Sequence, residues 1–366
     1  MKRIVLAVLI AAICIVPAFA AGKSPGKVGA YMFLSRTQSP DAESLRALVN
    51  EAADAGIQFL MPYARTTEGN AFYDSKIMPQ IPRPYDALKV VIEAAHARGM
   101  EVHPWFVVTA DGYNDFSPIL QEHPDWCMVD ISGKRVGWID PSSPEARQHV
   151  VSVLKEIAAN YDIDGINLDY LRYATPGRYC FCERCTSAFK ERFGLDAKAA
   201  NNAEPGSRDW AKWRLFRYRQ TNQFMRELRE ALREVKPEAT MSAYVWGAQT
   251  YGKHYNICQD WKTWMEEGHL DWVNPMGYYD IPREYLAAAR WNREMSGDLP
   301  MHVTLTRYFR RDPEKSLETA KTQIRDAMKL GADGIVLFHV EGFRPMLKDL
   351  SPLLHDVAAG KLDRKP

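Results

Sequence analysis

Gly165-Ile166-Asn167-Leu168-Asp169-Tyr170-Leu171-Arg172-Tyr173 is the stretch on which the reading of this chain turns. Its first half alternates, with Ile166 and Leu168 on one face and Asn167 and Asp169 on the other, which is the two-residue period of a β-strand. Working outward, seven further β-rich runs occur, each followed by a stretch of helical character: Val28-Leu34, Ile57-Arg65, Glu101-Val108, Thr240-Trp246, Asp271-Asp280, His302-Tyr308 and Gly334-Glu341. The last four begin roughly thirty residues apart, the length of a minimal strand-crossover-strand unit. Eight such units specify an α/β fold of the (β/α)8 TIM-barrel type.

The helical stretches carry start and stop chemistry. Ser39-Pro40-Asp41, Ser143-Pro144-Glu145 and Asp312-Pro313-Glu314 each set Pro in a first turn beside an acid, predicting helices over 42–55, 146–160 and 315–330. Gly56, Gly99, Gly268 and Gly331 fall where left-handed caps would end helices before strands two, three, six and eight. Two long segments interrupt the rhythm, 109–143 after strand three and 174–237 after strand four. Both follow the C-terminal ends of strands, the face where such barrels keep their sites.

Lys2 and Arg3, the apolar run Ile4 to Val16 and the small-x-small tripeptide Ala18-Phe19-Ala20 read as a secretory signal peptide over 1–20. The apolar run is shorter than the ~20 residues of a membrane-spanning helix, so residues 21–366 are expected as a single released domain, secreted or periplasmic. The whole chain has 47 Lys+Arg against 46 Asp+Glu, and no block of one sign, which excludes the basic footprint of a nucleic-acid binder. No GxGxxG, GxSxG or GxxxxGK[ST] occurs, which argues against dinucleotide, serine-hydrolase and nucleotide chemistry.

Alternate residues of a barrel strand face the lumen, so a site is announced by polar residues of one parity near strand ends. Strand four supplies Asn167 and Asp169, strand eight His339 and Glu341, and strand six Asn274, Tyr278 and Asp280. Tyr63 and Arg65 end strand two, His103 and Trp105 belong to strand three, and Tyr244 and Trp246 end strand five. Converging carboxylates and rings point to a carbohydrate: one carboxylic acid protonates a glycosidic oxygen, a second attacks or activates water, and rings stack on sugar faces. A metal-dependent amide hydrolase on the same fold would want paired histidines on strand one, where Gly29-Ala30-Tyr31-Met32-Phe33 has none.

The segments Ala94-Ala95-His96-Ala97-Arg98-Gly99-Met100-Glu101-Val102-His103-Pro104-Trp105-Phe106, Trp138-Ile139-Asp140-Pro141 and Tyr161 through Tyr173 resemble the bacterial family-10-like glycosyl hydrolase group of secreted barrel proteins. The resemblance covers roughly 27–175. It implies a barrel acting on extracellular polysaccharide, with Asp169 on the catalytic position and His103, Trp105 and Arg172 on other motif positions. The second acid is argued from this chain alone. Asp169 is assigned as nucleophile or base, Glu341 as general acid and Asp280 as reserve, with Tyr63, Arg65, His103, Trp105, Arg172, Tyr244, Trp246, Asn274, Tyr278 and His339 lining sugar subsites. A polysaccharide-binding barrel without turnover is the competing class. No protein partner and no organic cofactor are implied.

Five cysteines lie beyond the signal peptide, and Cys180-Phe181-Cys182-Glu183-Arg184-Cys185 is a CxCxxC cluster. Tetrahedral zinc needs four ligands, and Cys127 is the natural fourth. The arrangement is similar to the structural zinc cluster of family-42 β-galactosidases, which implies a structural zinc. A pair of disulfides is the alternative in an oxidising compartment, and Cys258 is read as a buried free thiol.

Overall fold

A computed structural model describes residues 27–34, 39–112, 115–247, 256–306 and 312–362; the predicted signal peptide lies outside them. In chain order the strands are β1 (Lys27–Met32), β2 (Phe59–Arg65), β3 (Glu101–Val102), β4 (Trp105–Val107), β5 (Cys127–Val129), β6 (Arg135–Ile139), β7 (Gly165–Asp169), β8 (Thr240–Val245), β9 (Trp272–Pro275), β10 (His302–Thr306) and β11 (Gly334–Phe338). β3 and β4 are two pieces of the third barrel strand, separated by His103 and by Pro104, which has no N–H to offer the ladder.

The parallel order runs β10, β11, β1, β2, β4, β7, β8, β9, with β3 on β2. β9 and β10 approach through a parallel bridge between Val273 and Met301, which nearly closes the ring. All eight predicted strands are present. Several end earlier than predicted: β7 stops at Asp169 as Tyr170 turns off at φ 58°, and β9 and β11 stop at Pro275 and Phe338.

Helices wrap the outside, and the predicted caps close them. Asp41, Ser143 and Asp312 accept N–H bonds at the starts of Ala42–Asp54, Pro144–Asn160 and Pro313–Lys329. The left-handed turns at Gly56 (φ 94°) and Gly331 (φ 80°) send the chain back toward β2 and β11. Apolar residues of the outward strand face, among them Ile166, Leu168, Ile335 and Leu337, pack with these helices into the main core.

The inward face is a second packed layer, built from Tyr31, Phe59, Met61, Tyr63, Trp105, Tyr244, Trp272 and Val336. Gly29 is required where β1 passes Phe59, whose ring carbon would lie 2.1 Å from an added Cβ. At mid-height the polar residues satisfy one another. The Tyr31 hydroxyl donates to Asn167 Oδ1 (2.8 Å), and Asn167 Nδ2 donates to Ser242 Oγ (2.8 Å) and Asn274 Oδ1 (3.0 Å). Asn274 Nδ2 donates back to the Tyr31 hydroxyl. Asn274, expected in a sugar subsite, is therefore fully buried in the interior network of the barrel.

Candidate active site

Asp169 ends β7 at the C-terminal mouth and is only 2% exposed. The turn at Tyr170 points that residue's N–H back at Asp169 Oδ1 (2.6 Å), and the indole N–H of Trp105 on neighbouring β4 donates to Oδ2 (3.0 Å). Burial pushes the Asp169 carboxyl up to about 6, against the Arg172 charge and these two N–H donors, which pull it down. Arg172 is held over the rings of Tyr170 (4.3 Å), Trp138 (5.3 Å) and Trp246 (5.5 Å). A carboxyl of this kind exchanges a proton near neutral pH, which is what general acid or base catalysis asks of it.

The wall around Asp169 is aromatic. Trp105 meets Tyr63 at 4.1 Å, Phe33 at 5.4 Å and Phe338 at 5.7 Å between ring centroids. Phe338 stacks on Tyr244 (5.6 Å), whose hydroxyl donates to that of Tyr278 (2.5 Å). Trp105 packs on Tyr63, and Tyr244 on Tyr31 and Phe338, and all three are buried, so they form the floor of the mouth and offer no open face to a sugar. Tyr278 is 45% exposed, and Trp246, Phe33, Phe338 and Tyr170 are partly exposed.

Glu341 does not lie on a strand. β11 ends at Phe338, His339 caps the short helix Val340–Phe343, and Glu341 sits in its first turn. Its carboxylate accepts the Phe33 N–H (2.9 Å) and pairs with His339 Nδ1 (2.8 Å), with the side chain 4% exposed. Arg344, three residues on, pairs with Glu51. The Phe33 ring touches both His339 (4.5 Å) and Trp105, so Glu341, through the Phe33 N–H, and Asp169, through the Trp105 indole, are tied to one aromatic cluster. Asp280 is exposed, beyond the end of β9 in the segment that carries Tyr278.

Besides Asn274, two expected subsite residues lie elsewhere. The β2–β4 register shifts between Tyr63 and Arg65, and this bulge turns Arg65 out of the lumen to a fully buried ion pair with Asp111 (2.8 Å) over the Phe106 ring. His103 is at the opposite end of the barrel. Trp105 is in register with Asn167 and Val107 with Asp169, which leaves His103 level with Gly165 at the start of β7, bound to Glu101 (3.1 Å). Counting alternation without register could not separate a strand's beginning from its end.

The cysteine cluster is also corrected. Cys180, Cys182 and Cys185 gather around Asp140, with ligand atoms all within 4.8 Å of one another. Cys127 pairs with Ile139 across the β5–β6 hairpin, and its buried thiol points toward the Leu120 carbonyl (3.9 Å). Asp140 stood in the Trp138–Pro141 motif, but nothing in its spacing marked it as a ligand. Among the described residues Cys127, Cys180, Cys182, Cys185 and Cys258 are not joined in disulfides, and Cys258 is buried as expected.

A parallel barrel with a buried carboxyl at its C-terminal mouth is an arrangement that glycosidases share. The profile of the glycosyl hydrolase-like 10 family matches residues 33–306, and the chain belongs to that family. Glycosyl hydrolase DigH of Escherichia coli O6:H1 is 27% identical over 269 residues, 61% of this chain and 56% of that protein. Glycosyl hydrolase YngK of Bacillus subtilis is 26% identical over 244 residues, 60% and 44% respectively. The chain thus spans about half the length of the curated relatives it matches. Among solved structures, the glycoside hydrolase domain of PgaB (BpsB) from Bordetella bronchiseptica superposes with a TM-score of 0.71 at 15% identity, covering 90% of this chain and 99% of that one. The β-galactosidase of Bacillus circulans sp. alkalophilus gives 0.66 at 16% identity, covering 93% and 58%.

Proposed function

We propose that the protein is a glycoside hydrolase acting on an extracellular or cell-envelope polysaccharide, with Asp169 moving the proton. The observation that carries this reading is the Asp169 carboxyl, buried at the mouth, raised to about 6 and gripped by the Trp105 indole and the Tyr170 N–H beside Arg172. That environment supports the proton-donating role for Asp169, in place of the nucleophile or base first assigned to it. Glu341 is the second carboxylate, held ready by Phe33 and His339, and Asp280 is the reserve. Arg172, Trp246, Tyr278 and His339 line the sugar path, above a floor of Tyr63, Trp105 and Tyr244. The relatives named glycosyl hydrolase support the class of reaction.

In this reading residues 1–20 are a signal peptide and 21–366 one barrel domain, with the segments 109–143 and 174–237 as insertions on its top face. The protein is secreted or periplasmic and carries a structural zinc and no organic cofactor. Among the described residues no helix is long and apolar enough to cross a membrane.

One observation favours a second reading, polysaccharide binding without turnover: Glu341 is tied through both oxygens to Phe33 and His339, as a structural carboxylate would be. A panel of polysaccharides incubated with purified protein, scored for reducing ends and for binding together, separates the two. Hydrolysis predicts new reducing ends from at least one substrate, whereas binding with none released supports the second reading.

A further inference from the structure

We propose that Cys180, Cys182, Cys185 and Asp140 form a closed tetrahedral site for one thiophilic divalent cation, zinc by ligand type, in which a carboxylate replaces the fourth cysteine and Cys127 takes no part. This deepens the structural-zinc part of the proposed function and stands or falls independently of catalysis.

The distances fit the ion. With metal–sulfur bonds of about 2.3 Å and a metal–oxygen bond of about 2.0 Å, a tetrahedron sets sulfur and oxygen about 3.5 Å apart. Asp140 Oδ2 lies 3.3 Å from Cys180 Sγ, 3.0 Å from Cys182 Sγ and 3.8 Å from Cys185 Sγ. One oxygen atom therefore faces all three sulfurs at close to the required separation.

Backbone N–H groups of Val129 and Cys185 donate to Cys180 Sγ (3.2 Å) and Cys182 Sγ (3.4 Å). The Ser142 N–H and hydroxyl hold the two Asp140 oxygens (3.0 and 2.7 Å), and Arg184 Nη1 lies 3.5 Å from Oδ2. Such outer partners orient a metal-bound carboxylate and offset the excess negative charge of a three-thiolate set. A groove of about 1120 Å³, lined by Cys182, Phe181 and Arg184, gives the ion access from solvent.

The ion would join two separate pieces of chain. Asp140 follows β6, whereas the cysteines follow β7 and begin the helix Glu183–Phe193. Four protein ligands leave no open position for substrate or water, so its role is to clasp these segments together. Trp138, which supports Arg172, lies just before Asp140 on the clasped hairpin.

Full-length mature protein, purified under reducing conditions and dialysed against zinc, is expected to hold about one zinc per chain by elemental analysis. Cys127→Ser should keep it. Cys182→Ser should lose it, and Asp140→Ala should bind it about tenfold or more weakly. Asp140→Cys supplies the replacement ligand and should keep the metal; with cobalt(II) as the probe, it should add thiolate charge-transfer absorbance over wild type. Circular dichroism on each variant confirms that it is folded. The proposal is overturned by wild-type protein that takes up no zinc or cobalt, by metal lost in Cys127→Ser and kept in Asp140→Ala, or by two disulfides among these cysteines in protein isolated without reductant.

Discussion

The two ends of the barrel bury titratable groups equally deeply and to opposite effect. At the C-terminal mouth Asp169 is raised to about 6, while at the N-terminal end burial drives His302 down to about 3, assisted by the charges of Lys27 and His103 and opposed by Glu101. Around Asp169 two N–H donors and a guanidinium partly restore what water would have supplied. His302 instead lies against the Trp272 ring (4.4 Å) in a cluster with Phe59 and His103, and among the described residues its Nδ1 has no hydrogen-bond partner. Desolvation thus shifts a pKa at either end. N–H donors to the buried group and strand ends that open into long segments are what distinguish the candidate site from the opposite end of the barrel.

The comparison is broken most sharply by substituting each group in turn. Asp169→Asn keeps shape and removes the charge, and should lower turnover by roughly a hundredfold or more with oligosaccharide binding retained. His302→Phe keeps the stacked ring and should leave kcat/KM within about twofold. Steady-state kinetics and calorimetric binding on the substrate found in the polysaccharide panel check both; equal losses at the two ends would erase the distinction.

A smaller effect concerns acid stability. The His302 pKa is depressed below its ordinary 6.5, so its contribution is intact above 6.5 and is lost as pH falls toward 3, when the unfolded chain binds the proton first. Glu101, held at about 2 by His103 and Lys27, adds a loss in the same direction as pH falls from its ordinary 4.5 toward 2. Unfolding free energy from denaturant titrations should therefore decline between pH 6.5 and 4, by up to about 1.4 kcal/mol per pH unit for one group. His302→Phe should flatten that decline, and an unchanged slope would show that the histidine is hydrated.

The smallest effect has the opposite sign. The Asp169 pKa is raised above the ordinary 3.8, so its stabilising contribution is full below 3.8 and lost as pH rises through about 6. The pH dependence of Tm for Asp169→Asn, compared with wild type, should lack this loss between pH 4 and 7. Identical curves would mean that the carboxylate is already solvated.

Much of the barrel was legible because its signals are local: alternation, capping acids beside proline and the spacing of the last four strands. Asp169 was legible for the same reason, being the polar residue at the end of an alternating strand. Arg65 was misread because a bulge changes parity without leaving a mark in composition. His103 was misread because height along a barrel is set by register with neighbouring strands. Asp140 entered the cysteine cluster through a hairpin contact between segments about forty residues apart, which no spacing rule reaches. Glu341 was placed on the wrong element, since the strand gives way at Phe338 to a helix capped by His339.

The pH dependence of kcat/KM tests the central claim, that Asp169 delivers the proton, most directly. A proton donor works only while protonated, so the rate should fall as pH rises through about 6. Arg172→Gln removes the cation that lowers the Asp169 pKa and should move that falling limb to higher pH. A rate that instead climbs through pH 6, or a limb unmoved by Arg172→Gln and still present in the residual activity of Asp169→Asn, would contradict the account.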